Sequence, residues 1–528
     1  MAETLKIVIG LAVLAIITVK GWNIWSARLV DFVSWILNGF LYRRFTIRHV
    51  ETRDHLPSAS YRFPNGQGDA AKFLHGRENS LSWQNEFGSI YRIWSGMTPE
   101  IVLTKPDHIR EVFKDSSQHI KAKNNDSGYF LGELLGKCVG LISQDEWKKL
   151  RGVTEQAFVR STSITYCPLI WERTLRHFHD LRTGSSGLSR GVIDPALDLK
   201  MLPFWIMAEI LYGRLTPEME RDLEQLAPAR EALFKHVLVG NTTRYHWSKY
   251  LPTAANRELN WFKSAWASFN RRARDRLLSE KGDTSAADKP ILSMYRAVDA
   301  GTVSEEAILH TLDEVLFANL DVTLGGISWN LVFLAAYPDV QARLRAEVAE
   351  KREAAMGDPA AFDRYVCDST TYLAACVSES SRMRPLAAFS VPQATPTPRV
   401  LDGYLFPAGT NFVVDAYALN QRDPFWGKDG DRYRPDRFLR EGGSVAAGSA
   451  APGRYNFWRF GFGPRQCMGK FVADIVIRAL LVHLVENYDL GILPEAGEGK
   501  EEDWARDPEV WINHPQMQLK CQTRSSSA

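Results

Sequence analysis

A mainly α-helical fold with a minor β region is what the sequence predicts. Three observations carry this. The run Ser304–Ala336 keeps apolar residues at helical spacing for longer than any other stretch. Trp147–Phe158 and most of Met201–Asn270 show the same period. Strand-like pieces are few and short: the alternation around Tyr91–Thr104, then Ser390–Gln393, Tyr404–Leu405 and Asn411–Val414. The chain has 528 residues, 45% hydrophobic and 24% charged. It has no Gly/Ser-rich or strongly charged linker in its middle, so one large domain with a substantial core is expected. A net charge of +2 gives no reason to invoke nucleic acid.

Taken in order, the first element is Ile7–Val19, an apolar run without charge. Extended from Leu5 through Trp22 and Trp25, with Lys20 snorkelling, it approaches the roughly 17–25 residues a membrane span needs. Arg43, Arg44 and Arg48 follow and put the later chain on the cytoplasmic side. No Ala-x-Ala cleavage site stands after the run, which argues against a secretory signal. Leu29–Leu41 is a second apolar stretch broken by Asp31, expected to lie on the membrane or to pack on the body. The division expected is therefore an anchor and interfacial segment over 1–48 and a catalytic domain over 49–528.

A β-hairpin is expected from Tyr91, followed by a short helix opening at Lys105-Pro106-Asp107, where proline and acid mark a start. Ser304 can cap the long helix, Glu305 and Glu306 favour its positive end, and Tyr337-Pro338 stops it. Such a helix is on the order of 45 Å long at about 1.5 Å per residue. Asp339–Met356 reads as a polar surface helix, and Gly442–Gly453 as a surface loop. Six dispersed cysteines without a CxxC pair suit a reducing compartment. The sequons at Asn125 and Asn241 are expected to stay unused there. His177-Phe178-His179 lacks a third metal ligand, and His310 with Glu314 shares a helix face without a zinc motif.

The most informative stretch is Phe460-Gly461-Phe462-Gly463-Pro464-Arg465-Gln466-Cys467-Met468-Gly469, with a helix expected from Lys470. A cysteine just before a helix start has its thiolate stabilised by terminal N–H groups and the helix dipole. Gly463 and Gly469 permit tight turns and close approach of a flat ligand. Arg465 supplies a cation two residues away, suited to a carboxylate. A lone cysteine is more often a small buried hydrophobe, but this string is more than a lone cysteine. It resembles the haem-binding loop of the cytochromes P-450, F-x-x-G-x-R-x-C-x-G, at every fixed position. In that family a cysteine thiolate ligates the haem iron and favours O–O cleavage.

The resemblance extends over nearly the whole chain. Glu379-Ser380-Ser381-Arg382 matches E-x-x-R, and Arg437 matches the arginine that completes the family's buried charge triad, with Asp436 where Glu is usual. Trp147 and Arg151 match W-x-x-x-R. Ala318, Asp321 and Thr323 match the oxygen-activating helix, whereas Asn319 replaces Gly and Val322 replaces the first Thr. The resemblance implies the cytochrome P-450 fold, heme b (iron protoporphyrin IX) as cofactor and Cys467 as its axial metal ligand. It implies Trp147, Arg151, Phe460, Gly463, Arg465 and Gly469 around the haem, and Glu379, Arg382 and Arg437 as a structural triad. Asp321 and Thr323 would manage protons. Val322 leaves that relay incomplete, with Asn319 or a water open to substitute. Gln393 stands where a basic propionate contact is common.

Substrate contacts are expected near Lys123–Leu135, Phe204–Leu211, Ala318–Thr323, Leu386–Val391 and Trp511-Ile512-Asn513, all largely apolar. The implied enzyme is an NADPH- and O₂-dependent monooxygenase acting on a small lipophilic substrate, similar to filamentous-fungal enzymes of secondary metabolism. No flavin or nicotinamide fingerprint is present, so electrons come from a separate NADPH-cytochrome P-450 reductase, with cytochrome b5 as a second donor. A single-pass anchor in the endoplasmic reticulum membrane with a cytosolic catalytic domain is implied. Two rivals stand: oxidative coupling, cyclisation or rearrangement without oxygen insertion, and a non-catalytic haem-binding sensor.

Overall fold

Residues 27–524 are described by a computed structural model, apart from 185, 281–288, 357, 442–443, 446–452, 454, 494–503 and 509. The expected membrane run Ile7–Val19 and nearly all of the Gly442–Gly453 loop lie outside the described residues.

The long helix crosses the body as expected. Ser304 Oγ accepts the Ala307 N–H at 3.2 Å, Glu305 and Glu306 fill the first turn, and the helix ends at Ala336 before Pro338. It is not one uninterrupted α-helix. Asn319–Thr323 forms a π turn between Glu305–Ala318 and Leu324–Ala336. Sequence periodicity cannot show this, because one widened turn preserves the apolar pattern on either side. Around this helix pack Leu202–Tyr212, Ala254–Ser279 and Lys470–Asn487. Phe317 meets the rings of Phe204, Phe262 and Trp266 at 5.8, 5.9 and 5.2 Å. Gly325 lets the C-terminal segment close in, since a Cβ there would lie 2.8 Å from Ile512 and 2.9 Å from His514.

The hairpin forms from Ile90–Ser95 and Thr98–Leu103, and the helix Pro106–Phe113 follows it. Thr98–Leu103 pairs in parallel with Asn411–Val414, which pairs antiparallel with Gln393–Ala394, and Ile120–Lys121 closes the edge. Ser390–Val391, expected as strand, lies outside it. The first strand is buried on both faces, so it lacks the alternation of a half-solvated strand. Arg92 within it is satisfied by Ser58 Oγ at 3.0 Å and by the faces of Tyr42 and Trp94 at 4.9 Å each. A second sheet joins Tyr488–Ile492, Leu519–Thr523 and Val192–Ile193.

Residues 27–44 are helical. One face packs on the body: Leu41 is buried with Tyr61 and Trp94. The other turns Leu29, Phe32, Trp35, Ile36 and Phe40 outward, each about half exposed or more.

Candidate active site

The cysteine loop closes on itself through the Cys467 N–H, which donates to Phe460 O at 2.9 Å, and the Gln466 N–H, which donates to Gly463 O at 3.2 Å. Gly461 and Gly463 take φ of 83° and 73°, a left-handed backbone that other residues resist. A side chain at Gly463 would also strike Ser116. Gly469 caps Lys470–Asn487. Cys467 is the one exposed cysteine of the six, and yet burial raises its thiol pKa. Both hold because the sulfur faces a cleft inside the protein. The Glu314 carboxylate of the long helix raises that pKa too, and against these the Gly469 N–H and the charges of Arg151 and Lys470 favour the thiolate.

Behind the loop stands the expected charge triad. Arg382 donates to Glu379 at 2.8 and 2.7 Å, and Arg437 reaches the same carboxylate at 3.2 Å. Glu379 and Arg382 are fully buried. Arg382 also donates to Asn420 O at 3.0 Å, and the Asn420 amide exchanges two 2.8 Å bonds with the Trp458 backbone. Trp458 packs on Phe462 of the cysteine loop at 4.9 Å. Side-chain and backbone contacts thus connect the triad to the loop. Asp436 takes no part and pairs with Arg343.

On the other side of the cleft the helix Gln144–Thr154 presents Trp147 and Arg151. The Arg465 guanidinium lies over the Trp147 ring at 4.7 Å and donates to Ile142 O. Arg151 donates to Glu155 at 2.9 Å and Gln466 O at 3.3 Å. Lys121 joins them. Its backbone N–H bonds Ser143 Oγ, which Arg465 also touches. Burial and then the Arg465 charge push the Lys121 pKa down to about 7, and burial and then Arg151 push Arg465 down to about 10. Lys121 and Arg465, each disfavoured by burial and a neighbouring cation, form with Arg151 a cradle for a dianion, and the two propionates of a porphyrin meet that chemistry. Gln393 is buried against His119 and contributes no charge. Sequence reasoning missed Lys121, because a lone lysine in a two-residue edge strand carries no local signal.

Facing the loop, the long helix exposes Glu314, Val315, Ala318, Asp321 and Val322 in part, while Asn319 and Thr323 are buried. Thr323 Oγ1 donates to Asn319 Oδ1 at 2.8 Å, and the Asn319 amide donates to Val315 O at 2.7 Å. Both side chains expected near the oxygen chemistry are therefore committed within the helix. Asp321 Oδ2 instead accepts the indole N–H of Trp511 at 2.9 Å, and its backbone oxygen lies 2.7 Å from His514 Nε2.

The expected substrate segment Phe204–Leu211 needs correcting. Its apolar residues other than Trp205 are buried in the main core, and Glu209 is buried against Arg173, which donates to it at 2.8 Å. A helix apolar nearly all round is enclosed on all sides. Helix Pro217–Val239 lies nearer the cleft: Arg230 donates to Asp313 at 2.8 Å, and Phe234 meets Trp511 at 5.2 Å. In the Lys123–Leu135 region, Asn124 and Asn125 take left-handed turns before the helix Tyr129–Leu135. The loop after that helix is pinned to the long helix by three side chains. His310 Nδ1, Thr311 Oγ1 and Glu314 Oε2 accept from the N–H groups of Lys137, Val139 and Gly140 at 3.0, 3.3 and 3.1 Å. That is the use of the His310/Glu314 face.

The cytochrome P-450 family model matches residues 74–520. Cytochrome P-450 monooxygenase aclC of Aspergillus oryzae is 52% identical over 92% of this chain and 95% of its own. Cytochrome P-450 monooxygenase asaD of Aspergillus flavus is 49% identical over 93% and 91%. Cytochrome P-450 monooxygenase gliC of Aspergillus fumigatus is 36% identical over 99% and 98%. The mainly helical fold, the cation cradle and these full-length similarities agree: the chain belongs to the cytochrome P-450 family and is a haem-carrying monooxygenase.

Proposed function

We propose that Cys467 is the axial ligand of the haem and that the enzyme oxidises a small lipophilic intermediate of fungal secondary metabolism. The observation that carries the ligand assignment is the exposure of Cys467 alone among six cysteines, at a helix start beside the cation cradle. Haem bound there supplies the O₂ chemistry, in which one oxygen atom enters the substrate and the other leaves as water using two electrons from NADPH. A thiolate at Cys467 would supply the electron-donating ligand that suits this chemistry. Arg465, Arg151, Trp147 and Lys121 would hold the propionates, and Phe460, Gly463 and Gly469 would shape the loop against the ring. Glu379, Arg382 and Arg437 keep that loop in register through Asn420 and Trp458. Asp321 holds and passes protons, Val322 adds no hydroxyl, and Thr323 keeps Asn319 in place.

Electrons arrive from a membrane-bound NADPH reductase, with cytochrome b5 as a further donor. Residues 1–48 anchor the chain to the endoplasmic reticulum membrane and residues 49–528 form the cytosolic catalytic domain. The outward row Leu29, Phe32, Trp35, Ile36 and Phe40 supports the interfacial part of that reading. A second reading, oxidative coupling or cyclisation without oxygen insertion, is favoured by Val322 and by the committed hydroxyl of Thr323. Candidate metabolites are first screened by the spectral shift they induce. Turnover of a hit with reductase under ¹⁸O₂ then decides. Labelled product supports monooxygenation, and full turnover to unlabelled product supports the second reading.

A further inference from the structure

Asp321 sits at the π turn, where its backbone oxygen accepts the Leu324 N–H, and both that oxygen and the carboxylate have further partners outside the helix. Those partners come from the C-terminal segment. Trp511 Nε1 donates to Asp321 Oδ2 at 2.9 Å, and His514 Nε2 lies 2.7 Å from Asp321 O. The latter spacing requires the proton on Nε2, and burial keeps the His514 ring toward its neutral form. The segment itself is firmly seated. Asn513 N–H donates to Leu386 O at 3.2 Å, Asn513 Nδ2 donates to Tyr417 Oη at 2.6 Å, and Asn513 O accepts from Trp329. The Trp511 indole is held between Phe73, edge-on at 6.0 Å, and Phe234, tilted at 5.2 Å.

We propose that Trp511 is the positioning residue for Asp321. Its indole N–H fixes the carboxyl, in a helix whose residue 322 has no hydroxyl to do so, and Phe73 and Phe234 fix the indole. This rests on the reading that Asp321 delivers protons. Among the described residues Asp321 makes one side-chain hydrogen bond, to Trp511, so losing that donor frees the carboxyl to rotate. An untethered acid delivers protons less reliably, and reduced oxygen then leaves early as peroxide.

The consequence is measurable without a substrate. Full-length holoenzyme with reductase, NADPH and O₂ partitions oxygen between two balanced outcomes. O₂ with two electrons and two protons gives H₂O₂, using one NADPH per O₂. O₂ with four electrons and four protons gives two waters, using two NADPH per O₂. Trp511→Phe keeps the ring and loses the N–H. It is expected to keep the ferrous–CO band while the NADPH:O₂ ratio falls toward one and peroxide per NADPH rises about threefold, the scale of losing one hydrogen bond worth about 0.6 kcal/mol or more. Asp321→Asn is expected to do the same, and the double variant no more than Asp321→Asn alone. In ¹⁵N-tryptophan spectra of the full chain, the indole resonance missing from Trp511→Phe is expected to shift in Asp321→Asn.

An unmoved indole resonance in Asp321→Asn overturns the inference. So does a wild-type ratio in Trp511→Phe when Asp321→Asn lowers it. A wild-type ratio in Asp321→Asn overturns the reading of Asp321 itself, and the inference with it.

Discussion

Lys121 shows how a single side chain trades stability for cofactor binding. Burial and the neighbouring Arg465 charge lower its pKa from 10.5 to about 7 in the folded chain without haem. Below about pH 7 both folded and unfolded chains hold the proton, and the penalty is complete. Between about 7 and 10.5 the unfolded chain binds more proton, so this contribution becomes less destabilising as pH rises. Lys121→Met therefore makes the haem-free protein melt higher than the unsubstituted protein at pH 6, by a margin that shrinks by pH 9. The same substitution makes the holoenzyme lose haem faster to an apomyoglobin acceptor, by on the order of tenfold for about 1.4 kcal/mol of a charge-assisted bond. Equal haem loss with and without Lys121 contradicts its place in the cradle. Arg465 and Arg151 were legible in the sequence because each stands at a fixed offset within a motif. Lys121 meets them only through the fold.

At the scale of elements, the long helix and the loop pinned to it divide the work around the cleft. Helix limits were legible because caps and prolines are local: Ser304, Pro338 and the run before Gly469 mark them directly. The π turn and the Trp511 clasp were not, since the bond to Asp321 joins residues 190 positions apart. Phe204–Leu211 was misread because strong hydrophobicity fits a substrate pocket and a core equally well. Two substitutions test this scale. Val322→Thr restores a hydroxyl beside Asp321 and is expected to lower peroxide released per NADPH severalfold; an unchanged or higher yield means that position 322 does not limit proton delivery. Gly140→Ala drives a methyl into the Glu314 carboxylate. It is expected to cost about 1 kcal/mol in denaturant unfolding, because the Glu314 carboxylate must swing aside and give up the Gly140 N–H. Stability within error of the parent would show that this bond does not hold the loop to the helix.

For the whole molecule, the cleft depends on contacts that run from the buried triad through Asn420 and Trp458 to the cysteine loop. Glu379→Gln leaves the fully buried Arg382 short of its anion, while Arg437 keeps Asp429 at 3.1 Å, and costs about 3–5 kcal/mol. The expected result is protein that accumulates with little haem, read as the ratio of Soret to protein absorbance; a normal ratio contradicts the structural role. The family was legible from the loop alone, because haem ligation concentrates its requirements in ten consecutive residues. The substrate was not, because its contacts come from distant segments with no shared motif. All of these roles depend on sulfur ligation at one position, and the ferrous–CO difference spectrum of Cys467→Ala tests it most directly. Ligation by Cys467 predicts loss of the red-shifted Soret band of a thiolate-ligated carbonyl complex, together with loss of turnover. Persistence of that band in a protein lacking Cys467 would contradict it.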